Sequence, residues 1–159
     1  MNKFIIFILL FITIFPKSIT VSSSQLNGSI SINSNVPQNL FGTWKVISTQ
    51  IYSSNPSLFV PFSVDYWTLY KKNDIIFLEN PNTNAIASIN IQSVLGNTIT
   101  FHKYGENDSE KYTETPTLIL NNNTFSGTDK IIIKRYEHNK YLSTDIIEFK
   151  INGTKISDN

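Results

Sequence analysis

The stretch NLFGTWKVIST, residues 39–49, is where the chain changes character. Upstream, residues 23–39 are rich in Ser and Asn, with Gly28 and Pro37 and no sustained hydrophobic period. That composition describes a flexible leader, in which only SISI at 29–32 has the alternation of a short edge strand. Downstream, Ile, Val, Thr, Tyr and Phe gather in short runs separated by Asn, Asp, Gly and Pro, the pattern of an all-β domain. Within the stretch itself, Gly42 reads as a turn residue and Trp44 as an aromatic at the start of the first strand.

Working outward, the runs follow one another at hairpin spacing. DYWTLYKK (65–72) and DIIFLE (74–79) flank Asn73 closely enough for a tight turn. In 85–94, Ala85, Ala87, Ile89 and Ile91 alternate with Ser88, Asn90 and Gln92. In 98–104, Ile99 and Phe101 share one face, with Thr98, Thr100 and His102 on the other. Further short runs lie at 111–115, 117–120 and 130–137, and a last one at 141–151 puts Ile147, Phe149 and Ile151 on one face. The pattern predicts an antiparallel up-and-down β-barrel of about eight to ten strands. Closure removes the exposed edges that invite aggregation, and hairpin-short connections argue against the crossings of a β-sandwich. One connection is long: SSNPSLFVPFSV, residues 53–64, is apolar between two prolines. A loop of that kind covers a barrel mouth or plugs one end of the core.

The amino terminus carries a different signal. Lys3 precedes an apolar run, residues 4–15, that Pro16 ends. The run is too short for the roughly 20 residues of a membrane-spanning helix, and its basic and polar flanks are those of a secretory signal peptide. The expected organisation is a signal peptide at 1–22, a leader at 23–39 and one barrel domain at 40–156. The expected location is extracytoplasmic, secreted or in the cell envelope, with no transmembrane span once the signal is removed. The chain has no Cys, so its stability must come from a core rather than from disulfides. With 40% hydrophobic and 13% aromatic residues, a domain of this length can build one. A formal net charge of +1 without a basic block leaves no footprint for nucleic acid.

Gly42-Thr43-Trp44, preceded by Leu40 and Phe41, resembles the Gly-x-Trp signature of lipocalins and the wider calycin superfamily. The likeness is to compact bacterial lipocalin-like domains and extends over about residues 40–156. It implies that Trp44 packs across the closed end of the barrel, with a basic residue from a late strand lying over the indole. Arg135, the one arginine of the chain, stands in a late strand. The resemblance therefore gives Gly42, Trp44 and Arg135 the role of barrel closure. The sequence departs from the family pattern in three ways. Thr144-Asp145 follows Arg135 instead of preceding it, no helix follows the last strand, and no disulfide is possible.

Chemistry-bearing clusters are scarce. His102 and His138 show no ligand spacing, no serine sits in a nucleophile elbow, and no cofactor is implied. Glu106, Asp108, Glu110 and Glu114 read as one solvated acidic turn, without the spacing of an EF-hand. The Asn-x-Ser/Thr triplets at Asn27, Asn107, Asn122 and Asn152 are those an Asn-rich composition yields. The residues argue for a non-enzyme. Of Tyr66 and Trp67, strand alternation sends one inward and one outward, so either offers aromatic surface to the interior. An eight-stranded barrel is filled by side chains or holds one small ligand. In the hollow case, Ala87, Ile89, Ile99, Phe101, Ile147 and Phe149 line an apolar pocket with Phe59 and Phe62 at its mouth. That reading makes the protein an exported carrier of a small hydrophobic molecule or lipid. The alternative is a solid-core barrel acting through its surface. Oligomeric state is not legible.

Overall fold

The structure, a computed structural model, describes residues 36–57 and 59–158. The signal peptide, the leader as far as residue 35, the SISI run, Asn27 and Leu58 lie outside the described residues. Eight antiparallel strands form a closed barrel in sequential order: β1 (Gly42–Ser53), β2 (Phe62–Lys72), β3 (Ile75–Asn80), β4 (Ala85–Leu95), β5 (Thr98–Glu106), β6 (Glu110–Asn121), β7 (Thr124–Glu137) and β8 (Lys140–Ser157). The up-and-down barrel expected from the hairpin spacing is present with eight strands. The runs at 111–115 and 117–120 merge into β6 across Pro116. The β5–β6 ladder is interrupted there, between Thr100↔Thr117 and Lys103↔Glu114, because proline has no N–H to give.

The turns show why this sequence makes hairpins. Asn73 and Asp74 both have positive φ (50° and 62°), as do His138 and Asn139 (47° and 64°). Two consecutive left-handed residues match the right-handed twist of the strands they join, and Asn and Asp tolerate that conformation. One end of the barrel carries the turns at Asn73, Gly96 and Asn122; the other carries residues 54–61 and the turns at 81–84, 107–109 and 138–139. The chain enters and leaves at the first of these ends, since β1 begins where β8 finishes.

That end is closed. A 3₁₀ turn at Gln38–Leu40 precedes β1, and Val36 and Leu40 are buried with the core. The domain therefore begins before Leu40, and residues 36–39 belong to its floor rather than to a leader. Trp44 is fully buried and its Nε1 donates to the Leu40 carbonyl at 2.9 Å, satisfying the one polar group of the indole. Phe125 packs between Trp44 and Trp67, at centroid distances of 5.1 and 6.1 Å. Its ring occupies the space where Gly153 lacks a side chain: a Cβ there would stand 2.1 Å from Phe125. Gly42 is required for two reasons, a φ of +129° and the Ser157 carbonyl 2.5 Å from any added Cβ.

Candidate functional site

The inward face changes chemistry along several of the strands. On β5 the series Ile99, Phe101 continues to Lys103, and on β6 the series Leu120, Leu118, Pro116 continues to Glu114. Asp129 on β7 stands opposite Pro116, and on β8 opposite Phe149. The closed half of the barrel is thus almost wholly apolar, and the half toward residues 54–61 sets buried charges among aliphatics such as Ile133 and Ile147.

Lys103 and Glu114 face one another in register and form an ion pair at 2.6 Å, with side chains only 8% and 7% exposed. Tyr112 donates its hydroxyl to the same Glu114 oxygen at 3.1 Å, and the Lys103 ammonium lies 5.8 Å from its ring centre. Burial alone would lower the Lys103 pKa, but the charge of Glu114, with Tyr112 and Asp129 behind it, holds the ammonium protonated far above its ordinary range. Asp129 goes the other way. Burial first, and then the negative charge of Glu114, push its carboxyl well above the usual carboxylate value. Its carboxyl therefore keeps its proton to higher pH than an ordinary Asp, and its Oδ1 has no hydrogen-bond partner. Asp65 on β2 is also raised by burial, although Tyr66 N–H (2.8 Å) and Asn80 Nδ2 (2.6 Å) donate to it.

At the rim, Arg135 bridges three strands: its Nε donates to Glu110 Oε1 on β6 at 3.0 Å, and its Nη1 pairs with Asp145 on β8. This corrects the role expected of it. The cation over the Trp44 indole is Lys155, at 5.3 Å. Arg135 stands opposite Ser143 and Trp44 opposite Lys155, so about a dozen residues of β8, roughly 40 Å of strand, separate them. Glu110 and Glu114 are likewise not members of a solvated turn: the first holds Arg135, and the second is inside the barrel.

The expected lining residues divide. Trp67, Ile89, Ile99, Phe101, Ile147 and Phe149 are buried in the core, and Ala87 faces inward opposite Leu78. Tyr66 belongs to the outer face, on the alternate parity to Trp67 and Leu69. Phe62 is 55% exposed on the outside of β2, so it is no part of an interior lining. Phe59 does turn in, packing edge-on against Phe149 at 6.5 Å. Residues 54–61 are tied down at both ends, by Gln50 N–H to the Pro61 carbonyl and by Ser54 to Ile146. Beside Phe149 on β1 stands Gln50, whose buried Oε1 also lacks a partner.

A cavity of about 20 Å³ opens at the rim between Gly105, Glu110, Tyr112 and Ile133. That is room for a single water-sized group, against the roughly 300 Å³ or more of a ligand pocket. Among the described residues, no helix is long and apolar enough to cross a membrane. Sequence reasoning missed Lys103 and Asp129 altogether. The signal that finds Lys103 is its parity with Ile99 and Phe101, extended two residues further along β5.

No family model, no curated protein and no solved structure matches this chain.

Proposed function

We propose that the chain is an exported, lipocalin-like binding protein that takes a small molecule into the ionic half of its barrel. Binding by burial needs no covalent step, so the reading is of a carrier or sensor rather than an enzyme. Support for the lipocalin likeness comes from the floor. Gly42-x-Trp44 opens β1, a 3₁₀ turn precedes it, and a late-strand cation, here Lys155, covers the indole. The long first loop lies at the opposite end. These features argue that the mouth is the end covered by residues 54–61.

The observation that carries the binding reading is the cost of the interior. Moving ions out of water costs several kcal/mol each, and well-packed apolar residues serve stability as well or better. An inward Lys103–Glu114 pair beside a buried Asp129 with an unpaired oxygen is therefore read as a site rather than a packing solution. The apolar ligand expected from the alternating aliphatics fits less well, because those aliphatics pack against one another. Native mass spectrometry of protein purified from its own cells tests the reading. A bound small molecule, lost on exchange of Lys103 and Glu114 together for Met and Leu, is the expected result. A bare mass, with no melting shift across a metabolite set, overturns it.

A second reading has its own observation. Ile47, Ile51, Tyr52, Phe62 and Val64 form an exposed apolar strip on the outer face of β1 and β2. A solid barrel working through that strip would bind a protein partner whether or not its interior was altered.

A further inference from the structure

Three inward residues stand side by side across the seam of the barrel: Asp129 on β7, Phe149 on β8 and Gln50 on β1, each opposite the next in register. The two flanking residues each hold a buried acceptor oxygen without a donor, and Asp129 is only 5% exposed. The aromatic between them is covered by the edge of Phe59, the one ring that residues 54–61 turn toward the core. The same loop closes onto the site, since the Pro61 carbonyl accepts from the backbone N–H of Gln50.

The geometry points to an organic ammonium ligand with an aryl or short alkyl tail. The tail takes the seat that Phe59 fills against Phe149, and the ammonium donates to Asp129 Oδ1 and Gln50 Oε1. This rests on the small-molecule reading above and gives that reading a ligand class. The inward polar groups select a cation. Asp65, Glu114, Asp129 and Asp145 face the interior, while Lys103 is committed to Glu114, Arg135 to Asp145, and Lys155 lies over Trp44 at the floor. Among the described residues, no uncommitted cation therefore stands beside Asp129 and Gln50 to favour the Asp129 carboxylate. An anion would meet Glu114 in a poorly screened setting. A neutral alcohol supplies a donor but no charge to balance a carboxylate. A bound ammonium does both, and the rings on either side of it favour a cation further. An ammonium beside Asp129 favours its carboxylate, so binding shifts Asp129 toward ionisation: the proton it gives up goes to the buffer, and the ligand keeps its own.

Calorimetry on the full chain at pH 7, in phosphate and in MOPS, a buffer with no net positive charge, with phenethylammonium and phenethyl alcohol as probes, tests this. Phenethylammonium is expected to saturate one site, with a heat that differs between the buffers because a proton is released. Asp129→Asn is expected to weaken it roughly 10- to 100-fold and to erase the buffer difference. Phe59→Ala should tighten it by removing the competing ring. Gln50→Leu gives a second weakening variant should Asp129→Asn not fold. Alcohol binding as tight as the amine, without proton release, overturns the ammonium assignment and leaves the small-molecule reading standing. Binding of neither probe to wild type or Phe59→Ala also overturns it. The native mass spectrum then decides whether the broader reading falls too.

Discussion

The two ends of this barrel are built by opposite rules. The closed end is solved by shape: Phe125 lies between two tryptophans, and Gly153 leaves room for it. The end beneath residues 54–61 is solved by charge, with Lys103, Glu114 and Asp129 inside and Arg135 clamped at the rim. Shape is the cheaper solution in a barrel interior, since close-packed apolar groups bring no desolvation penalty. The buried charges are therefore where the interior departs from the cheaper packing, and they carry the binding site proposed above.

That contrast can be broken most directly at its extremes. Trp44→Ala should cost about 3–5 kcal/mol of unfolding free energy in urea titration, because a fully buried indole has no small substitute. Lys103→Met should cost nearly as much, about 3–5 kcal/mol, by leaving Glu114 buried without its counter-ion. Lys103→Met with Glu114→Leu should recover most of that loss while removing ligand binding. Full binding in the recovered double variant would erase the distinction between the two ends. Gly153→Ala should cost about 1–3 kcal/mol through displacement of Phe125, with near-ultraviolet circular dichroism reporting the altered tryptophan packing.

A subtler test uses pH. The Asp129 pKa is raised in the folded state from an ordinary 3.8, so above about pH 4 the native protein binds more protons than the unfolded chain. Its contribution to stability therefore falls as pH rises, by at most about 1.4 kcal/mol per unit, until Asp129 itself ionises. Urea midpoints measured from pH 4.5 to 7 should fall less steeply in Asp129→Asn than in wild type, with the remaining slope of this sign from Asp65. The smallest effect belongs to the floor. Lys155→Met should cost up to about 1 kcal/mol and shift tryptophan fluorescence, whereas Arg135→Met should leave that fluorescence unchanged.

The closed half was the more legible in sequence, and the reason is physical. Trp44, Ile99, Phe101, Ile147 and Ile151 announce their burial by type and by alternation, and Asn73-Asp74 announces its turn by tolerance of positive φ. The ionic half obeys the same alternation but is written in residues that normally face water. Proximity along the chain groups Glu114 with Glu106 and Asp108, whereas strand parity joins it to Pro116 and Leu118. Arg135 shows the converse. A late-strand cation does cover Trp44, but the register selects Lys155, and no count along the sequence fixes a barrel register in advance.

Because β1 begins and β8 ends at the floor, Val36 and Ser157 both stand at the opposite pole from residues 54–61. A surface, a tag or a fused domain at either point holds the molecule like a cup by its base. The rim stays turned outward, and immobilisation through the carboxyl terminus leaves the end covered by residues 54–61 free for titration.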